Sequence, residues 1–181
     1  MLVHPRIVPA EGEVLRFPSE RAEEGSSFDT LFEEEHERLF KALYFVTGNR
    51  HDAEELMQDA FLKLWERWDE IHRIDDPVAY LFRIALNGFR MRRRRAAMAL
   101  RKVAPIPQTH DPFLDAEMRV DVRRLLLGVT ARQRAALVLM DLMGYPSEQA
   151  AHILHVRAST VRALATKGRR ALRAAEGARD A

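Results

Sequence analysis

The sequence predicts an all-α protein of two small helical domains joined by a proline-rich linker. Apolar residues recur at three- and four-residue steps, and no segment of any length alternates with the period of a strand. The stretch APIPQTHDPF, residues 104–113, holds three prolines in ten positions, which is typical of an extended linker. The predicted layout is a tail over 1–27, a first domain over 28–102, a linker over 103–115, a second domain over 116–176 and a tail over 177–181.

Two helices open the first domain. The apolar stripe of the first helix consists of Phe28, Leu31, Phe32, Leu39, Phe40, Leu43 and Val46. Gly48 and Asn49 are expected to end it, because both residues tolerate left-handed backbone angles. We expect Asp52 to cap the second helix with Glu55 as its capping-box partner. The apolar face predicted for this second helix consists of Ala53, Leu56, Met57, Ala60, Phe61, Leu64, Trp65 and Trp68.

A third long helix is predicted to begin at Asp76-Pro77, a capping carboxylate followed by proline at the first helical position. Its apolar stripe consists of Val78, Leu81, Phe82, Ala85, Leu86 and Phe89. The stripe fades into NGFRMRRRRAA, residues 87–97, in which arginine fills five of six consecutive positions. A solvated charged face is the alternative explanation of this run.

The second domain has the layout of a helix-turn-helix. A helix is predicted over Val120–Leu127, and Thr130 with Gln133 forms a capping box for another that stops at Gly144. Pro146 opens a short helix that ends near Leu154. A turn over His155–Ala158 follows, and Ser159 or Thr160 is expected to cap the last helix. The buried face of that helix is predicted to be Val161, Leu164, Ala165, Gly168 and Leu172. An ordinary helical hairpin with a basic face is the alternative.

The net charge of +2 conceals a strong segregation of charge. Residues 28–76 contain 14 acids and 6 bases, a balance of −8. Residues 77–102 contain 8 bases and residues 155–173 contain 6, with no acid in either segment. Two separate basic blocks predict contact with a polyanion at two places. The acidic block indicates a second, different partner.

Several classes of protein are disfavoured. The chain has no cysteine, so disulfides and thiolate metal sites are excluded and a cytoplasmic location is expected. No apolar stretch approaches the ~20 residues that span a bilayer, so no membrane insertion is predicted. We find no nucleophile–base pair and no phosphate-binding glycine loop, which predicts no enzyme and no cofactor. His152 and His155 lie three residues apart without a third ligand, so no metal site is predicted.

The second helix carries a candidate protein-binding surface, called here the acidic edge. Polar side chains and large apolar ones lie together there, as in the cores of protein interfaces. A plain amphipathic helix with a solvated acidic face is the alternative. The acidic edge comprises Asp52, Glu55, Gln58, Asp59, Leu62 and Trp65.

Two candidate nucleic-acid surfaces coincide with the basic blocks. On the third helix, an aromatic ring, an amide and arginines recur at helical spacing, which suits unpaired bases and their backbone. These residues are Tyr80, Arg83, Asn87, Arg90 and Arg94. In the last helix, short polar residues at the start favour phosphate or base edges, and cations supply charge. These cations are Arg162, Lys167, Arg169, Arg170 and Arg173.

With these motifs, the chain resembles the extracytoplasmic-function group of sigma-70 RNA polymerase sigma factors. AEELMQDAFLKLWE resembles the segment that grips the clamp helices of the largest polymerase subunit. PVAYLFRIALNGFRMRRRR resembles the segment that melts and reads the −10 element. LLLGVTARQRAALVLMDLMGYPSEQAAHILHVRASTVRALATKGRRAL resembles the domain that reads the −35 element, with His155 where a turn glycine is usual.

The resemblance implies a role for each surface. The acidic edge would bind core RNA polymerase. The −10 contacts would be Ile74, Asp75, Asp76, Tyr80, Arg83, Asn87, Arg90, Arg93, Arg94 and Arg95. The −35 contacts would be Arg157, Ser159, Thr160, Arg162, Ala163, Thr166, Lys167, Arg169 and Arg170. The loop from Glu70 to Asp76 would hold a base flipped from the non-template strand.

The sequence therefore predicts a transcription initiation factor. The partners implied are core polymerase through its clamp helices and flap region, promoter DNA, and an anti-sigma factor of the kind that holds many members of this group. The alternative is a stand-alone helix-turn-helix regulator whose N-terminal half is a dimerisation or signal-binding bundle. Co-purification with core polymerase distinguishes the two.

Overall fold

The computed structural model describes residues 27–71, 75–99 and 117–177. Within these ranges every regular element is helical, which confirms the all-α prediction. The elements are α1 (Phe28–Thr47), α2 (Arg50–Glu66), α3 (Trp68–Ile71), α4 (Pro77–Ala99), α5 (Glu117–Leu127), α6 (Ala131–Leu137), a π-helical segment (Val138–Leu142), α7 (Ser147–Leu154) and α8 (Ala158–Gly177).

The ends of α1 follow from local chemistry. Ser27 precedes the helix in an extended conformation, and its side chain accepts a hydrogen bond from the backbone N–H of Thr30 at 3.1 Å. Gly48 ends the helix at φ 75°, and its N–H donates to the carbonyl of Tyr44 at 2.8 Å. A side chain at Gly48 would also collide with Leu127, since a Cβ there would lie 2.6 Å from Leu127 Cδ2. The turn therefore favours glycine for its backbone angle, and a larger residue would also require the Leu127 side chain to move.

The helix α2 begins three residues earlier than the predicted cap at Asp52 implied. Asn49 is the N-cap, and its Oδ1 accepts from the N–H of Asp52 at 3.1 Å. The predicted capping box of Asp52 and Glu55 is therefore wrong. The physical reason for the earlier start is the backbone of Asn49. This residue directly follows the left-handed Gly48 and is extended, at φ −137°, so its side chain can cap the first turn of α2. Glu55 is free to reach across to α4.

The core of the first domain forms where α1, α2 and α4 pack together. Its largest fully buried side chains are Leu39, Leu43, Val46, Leu56, Leu64, Leu81 and Phe82. The sequence also placed Trp65 on the apolar face of α2, but the structure leaves this ring half exposed, at 50%. The helix ends one residue later, and the turn at Arg67 redirects the chain into α3. Trp68 on α3, not Trp65, packs against the core.

The predicted start of α4 is confirmed. The Oδ1 atom of Asp76 accepts from the N–H of Ala79 at 2.7 Å, and Pro77 is the first helical residue. The N-terminal half of the helix is buried through Ala79, Leu81 and Phe82. Beyond Phe89 most of the described side chains are exposed, so the basic end of α4 projects from the core.

In the second domain the predicted capping box is present. The side chain of Thr130 accepts from the N–H of Gln133, and Gln133 Oε1 accepts from the N–H of Thr130 at 2.9 Å. The helix runs on through the π-helical segment to Met143 and stops before Gly144, as predicted. The helices α6 and α8 cross closely at Gly168, where a Cβ would lie 2.8 Å from Leu137 Cδ1.

The predicted helix-turn-helix is formed by α7 and α8. Its turn has three residues, since α8 begins at Ala158. The prediction that Ser159 or Thr160 caps α8 is wrong. The carbonyl of Arg157 already accepts from the N–H groups of Thr160 and Val161, so helical bonding starts before either hydroxyl could cap it. Val161 and Ala165 are buried, and Leu164 is half buried.

His155 sets the sharp angle of this turn. It is the C-cap of α7 and has φ 56° and ψ 48°, and it is the one described residue other than glycine with positive φ. A Cβ in the left-handed region costs roughly 1–2 kcal/mol. The histidine is therefore conformationally strained.

Replacing His155 by glycine should relieve this strain. We expect His155→Gly to raise the free energy of unfolding by about 0.5–1 kcal/mol, the gain being reduced by the greater flexibility of the unfolded chain. The matched control is His152→Gly, at an exposed position within α7. That substitution should lower the free energy by about 1 kcal/mol. Urea unfolding followed by circular dichroism measures both, and two changes of the same sign would contradict this account.

Candidate nucleic-acid and protein interfaces

The acidic edge lies on one side of α2, away from the core. Asp52, Gln58 and Asp59 are exposed, and Glu55 is half buried. Leu62 is 58% exposed and Trp65 is 50% exposed, which is unusual for large apolar side chains of a small domain. The structure thus brings all six predicted residues onto a single surface of one helix.

Arg92 joins this surface to α4. Its guanidinium donates to Glu55, lies 3.8 Å from a carboxylate oxygen of Asp52 and lies 3.5 Å from Asp59 Oδ2. The hydrogen bond from Arg92 lowers the pKa of Glu55, and that same bond raises the pKa of Arg92. Arg92 is therefore already engaged by the acidic edge, in contrast to its neighbours in the arginine run.

The sequence analysis gave Arg92 no role, although it assigned Arg90, Arg93, Arg94 and Arg95 of the same run to the −10 contacts. The helical period contained the signal. The stripe of α4 that packs against α2 contains residues at four- and three-residue steps, namely Leu81, Ala85, Gly88 and Arg92. Gly88 lies against Leu56 of α2, where an added Cβ would be 3.0 Å from Leu56 Cδ2. Arg92 is the next position of that stripe.

The front of α4 carries a connected aromatic and amide surface. The guanidinium of Arg83 lies 4.7 Å from the ring centre of Tyr80. Arg90 Nη1 donates to Asn87 Oδ1 at 3.4 Å, and both side chains are exposed. Arg67, which the sequence pattern did not single out, donates to the hydroxyl of Tyr80 at 3.1 Å. This surface offers π faces and hydrogen-bonding groups to unpaired bases.

The remaining predicted −10 residues divide into three groups. Arg93, Arg94 and Arg95 are exposed, and Arg93 also lies over the ring of Phe89 at 5.9 Å. Asp75 is exposed, whereas Asp76 is engaged as the cap of α4. Ile74 lies outside the described residues.

The helix α8 presents most of its predicted contacts to solvent. The exposed ones are Arg157, Ser159, Thr160, Arg162, Ala163, Thr166, Lys167 and Arg170. Arg169 differs, since it is half buried and pairs with Asp141 of the π-helical segment at 2.6 Å. This ion pair raises the pKa of Arg169 and fixes the side chain on its own domain.

Arg162 is oriented by the first helix of the motif. Its Nη1 donates to Ser147 Oγ at 2.9 Å and to Glu148 Oε1 at 3.2 Å. The pKa of Glu148 is lowered by hydrogen bonds from its own backbone N–H and the Ser147 hydroxyl and by the charge of Arg162, so the carboxylate stays ionised. A guanidinium held in this way has fewer rotamers to lose when it binds DNA.

The α4 surface and the helix-turn-helix face each other across a cavity of about 890 Å³. Asn87, Arg90 and Arg94 line it from α4, and Thr160 and Leu164 line it from α8. Two candidate DNA surfaces that are distant in sequence are therefore close in the structure.

Neither a metal site nor a membrane span is found in the described residues. No group of three or more histidine, aspartate or glutamate side chains there could hold a metal ion. None of the helices in the described ranges combines the length and the apolar character needed to cross a bilayer.

Two family models match the chain. Sigma-70 region 2 matches residues 31–98, and Sigma-70 region 4 matches residues 119–172. Together they include α4 and the helix-turn-helix, and the first also includes the acidic edge.

Curated proteins that are similar to this chain are named ECF RNA polymerase sigma factors. The ECF RNA polymerase sigma factor SigM of Mycobacterium tuberculosis is 31% identical over 147 residues, which cover 79% of this chain and 74% of that protein. The ECF RNA polymerase sigma factor SigE of Mycolicibacterium smegmatis is 30% identical over 156 residues, 81% of this chain. The chain spans 60% of the length of that SigE.

Solved structures show the same fold. The sigma factor RpoE of Bartonella quintana, in complex with the anti-sigma factor NepR, matches with a TM-score of 0.66 at 22% identity, over 80% of this chain and 93% of that one. CnrH, in complex with the cytosolic domain of CnrY, matches with a TM-score of 0.61 at 25% identity, over 83% and 88%. The family models, the relatives and the fold agree, and the chain belongs to the extracytoplasmic-function (ECF) family of RNA polymerase sigma factors.

Proposed function

We propose that this chain is an alternative sigma factor, which binds core RNA polymerase and directs promoter recognition, DNA melting and transcription initiation. One observation carries the proposal: a single small chain presents an acidic, aromatic protein-binding edge and two separate cationic surfaces. A stand-alone regulator needs DNA contact at its helix-turn-helix, but it does not need a second cationic surface with aromatic and amide groups on α4. No enzymatic activity is part of the proposal.

The acidic edge is the proposed contact with the clamp helices of the largest polymerase subunit. Leu62 and Trp65 supply apolar anchors, and Gln58 and Asp59 supply polar contacts around them. The second domain, proposed over residues 116–176, would contact the flap region of the polymerase. Both contacts would be made in the cytoplasm, where transcription takes place.

The first domain, proposed over residues 28–102, would open the −10 element. The front of α4 suits unpaired bases, because Tyr80 offers a ring and Asn87 offers an amide. The exposed Arg93, Arg94 and Arg95 would hold the backbone. Asp76 would act indirectly, by fixing the start of α4 beside the loop that receives a flipped base.

The helix α8 would read the −35 element as intact duplex. A recognition helix enters the major groove with its N-terminal residues towards the bases. Ser159, Thr160 and Arg162 lie in the first turns of α8 and are exposed. We propose Arg162 as a base or phosphate contact, oriented by Ser147 and Glu148. Arg169 is a weaker candidate for DNA contact because Asp141 holds it.

An anti-sigma factor is included among the proposed partners. RpoE of Bartonella quintana, which shares the fold, is in complex with the anti-sigma factor NepR. The exposed apolar residues of α2 are available to such a protein as well as to polymerase.

The first test concerns the acidic edge. Asp59→Lys combined with Leu62→Ala should weaken retention by immobilised core polymerase at least tenfold, because an anchor and a charge are removed from the centre of the contact. The matched control is Glu37→Lys, which reverses an exposed carboxylate on α1. It should bind as the unmodified chain does. Full retention of the double variant, with its helical circular dichroism intact, would rule out this surface.

The second test separates two arginines of one run. Arg94 is exposed, whereas Arg92 is bound by Glu55. Arg94→Ala should therefore reduce the salt dependence of promoter binding by the holoenzyme, with the slope falling by about 0.9 for each phosphate that Arg94 neutralises. Arg92→Ala should leave that slope unchanged. Titrations at several salt concentrations measure both, and a shallower slope in the Arg92 variant would show that it contacts phosphate.

The third test separates reading from melting. Asn87→Ala should impair promoter opening, and a template already mismatched across the −10 region should rescue it, since its strands are unpaired before the protein binds. Arg162→Ala should instead weaken binding to the −35 duplex, by about 1–3 kcal/mol if it reads a base. Permanganate reactivity of unpaired thymines reports opening on both templates. Equal rescue of the two variants would contradict this division of roles.

A further inference from the structure

The side chain of Tyr80 is held at two points by arginines from different parts of the first domain. The guanidinium of Arg83, one turn further along α4, lies 4.7 Å from its ring centre. Arg67, the residue that ends α2, donates from Nη1 to its hydroxyl oxygen at 3.1 Å. The ring is half buried and packs against the core. The tyrosine is therefore oriented before any ligand binds, which lowers the entropic cost of binding.

The backbone of Arg67 is fixed on both sides. Its N–H donates to the carbonyl of Leu64 at 3.2 Å, and its carbonyl accepts from the N–H groups of Glu70 and Ile71, both at 3.0 Å. Ile71 is buried and attaches α3 to the core. The turn that carries Arg67 is thus part of the folded domain.

Glu70 engages the rest of the Arg67 guanidinium. The Nε and Nη2 atoms of Arg67 donate to Glu70 Oε2 at 3.3 and 3.0 Å. The hydrogen bond to Glu70 raises the pKa of Arg67, so the guanidinium stays protonated. Exposed ion pairs of this kind add little to stability. Their consequence here is orientation, since Glu70 holds Arg67 and Arg67 holds the tip of Tyr80.

The hydroxyl of Tyr80 retains a hydrogen that it can donate. A phenolic hydroxyl both accepts and donates hydrogen bonds. Its oxygen accepts from Arg67 at the protein surface, and within the described part of the chain no acceptor is found for its hydrogen. A hydroxyl that accepts from a cation is polarised by that bond and becomes a stronger donor. Tyr80 therefore presents a fixed donor to a ligand.

We propose that Arg67 is a positioning residue of the −10 surface, which fixes the Tyr80 hydroxyl so that it donates to an acceptor atom on the edge of one unpaired base. The proposal rests on the function proposed above and deepens it, because Tyr80 then supplies a donor as well as a ring. A donor favours bases with an oxygen or ring nitrogen at the facing position over bases with an amino group there. Tyr80 is thus a specificity-determining residue.

The charge around the hydroxyl favours a base over a phosphate. Arg67 is the cation in contact with the hydroxyl, and Glu70 already neutralises it at 3.0 Å. The Glu70 carboxylate also repels a phosphate, whereas the edge of a base carries no net charge. The backbone contacts remain with the exposed arginines beyond Arg92.

The test uses holoenzyme and a fork template whose non-template strand is unpaired across the −10 region, so that reading is measured apart from melting. Each unpaired position carries A, C, G or T in turn, and fluorescence anisotropy gives the affinity. Tyr80→Phe keeps the ring and loses the hydroxyl. At one position it should abolish a base preference of about threefold to tenfold that the unmodified chain shows, which is the range for one hydrogen bond.

Substitutions of Arg67 show whether it acts through that hydroxyl. Arg67→Met removes the donors at similar length and should reduce the same preference at the same position, whereas Arg67→Lys should retain part of it. Arg67→Met combined with Tyr80→Phe should lose no more than Tyr80→Phe alone. The matched control is Arg124→Met, at an exposed arginine of α5, which should leave the preference intact. Urea unfolding of the Arg67 variants should be almost unchanged.

Three results would overturn the proposal. The two single variants could fail to lose a preference at a common position, or their losses could add in the double variant. The salt slope of either variant could also fall by about 0.7, the value for one phosphate contact on a single strand, which would place the pair on the backbone. The proposed function fails separately, if the unmodified chain does not bring core polymerase to the fork template at all.

Discussion

The packing of α2 between α1 and α4 is the constraint on which the rest of the structure depends. The side chains where the three helices meet are fully or almost fully buried. They are Leu39 and Leu43 of α1, Leu56 and Leu64 of α2, and Phe82 of α4. This packing occupies one side of each helix. It leaves the acidic edge of α2 and the cationic front of α4 facing solvent, at a fixed distance from one another.

Arg92 lies at the seam between these two surfaces. By binding Glu55 and approaching Asp59, it attaches the end of the buried stripe of α4 to the acidic edge. Exposed ion pairs of this kind contribute little to stability on their own. Their value here is geometric, since the arginines that follow Arg92 are held at a defined angle to the acidic edge. In the proposed function, this fixes the position of the polymerase contact on α2 relative to the DNA contact on α4.

Local chemistry made much of the fold predictable. Asp76-Pro77, the Thr130–Gln133 capping box and the stop before Gly144 follow from interactions a few residues apart, and the structure has all three. The misplaced caps of α2 and α8 have a common cause. In each case a residue before the predicted cap already accepts hydrogen bonds from the first N–H groups of the helix. For α2 the acceptor is the side chain of Asn49, and for α8 it is the backbone carbonyl of Arg157.

Long-range contacts could not be predicted from sequence. No sequence pattern within one helix indicates that Arg38 donates a hydrogen bond to Met143 or that Arg123 donates one to Gly48, because these partners are far apart in the chain. The candidate surfaces were predictable because helical spacing fixes which residues share a side. Their closeness in space was not predictable, because it depends on how the two domains pack together.

The central claim is that this chain confers promoter selectivity on core polymerase. Run-off transcription across a library of genomic promoter fragments tests it most directly. Core polymerase with the chain should produce discrete transcripts from a subset of fragments, and core polymerase alone should not. Identical transcripts with and without the chain, although polymerase retains it, would contradict the account.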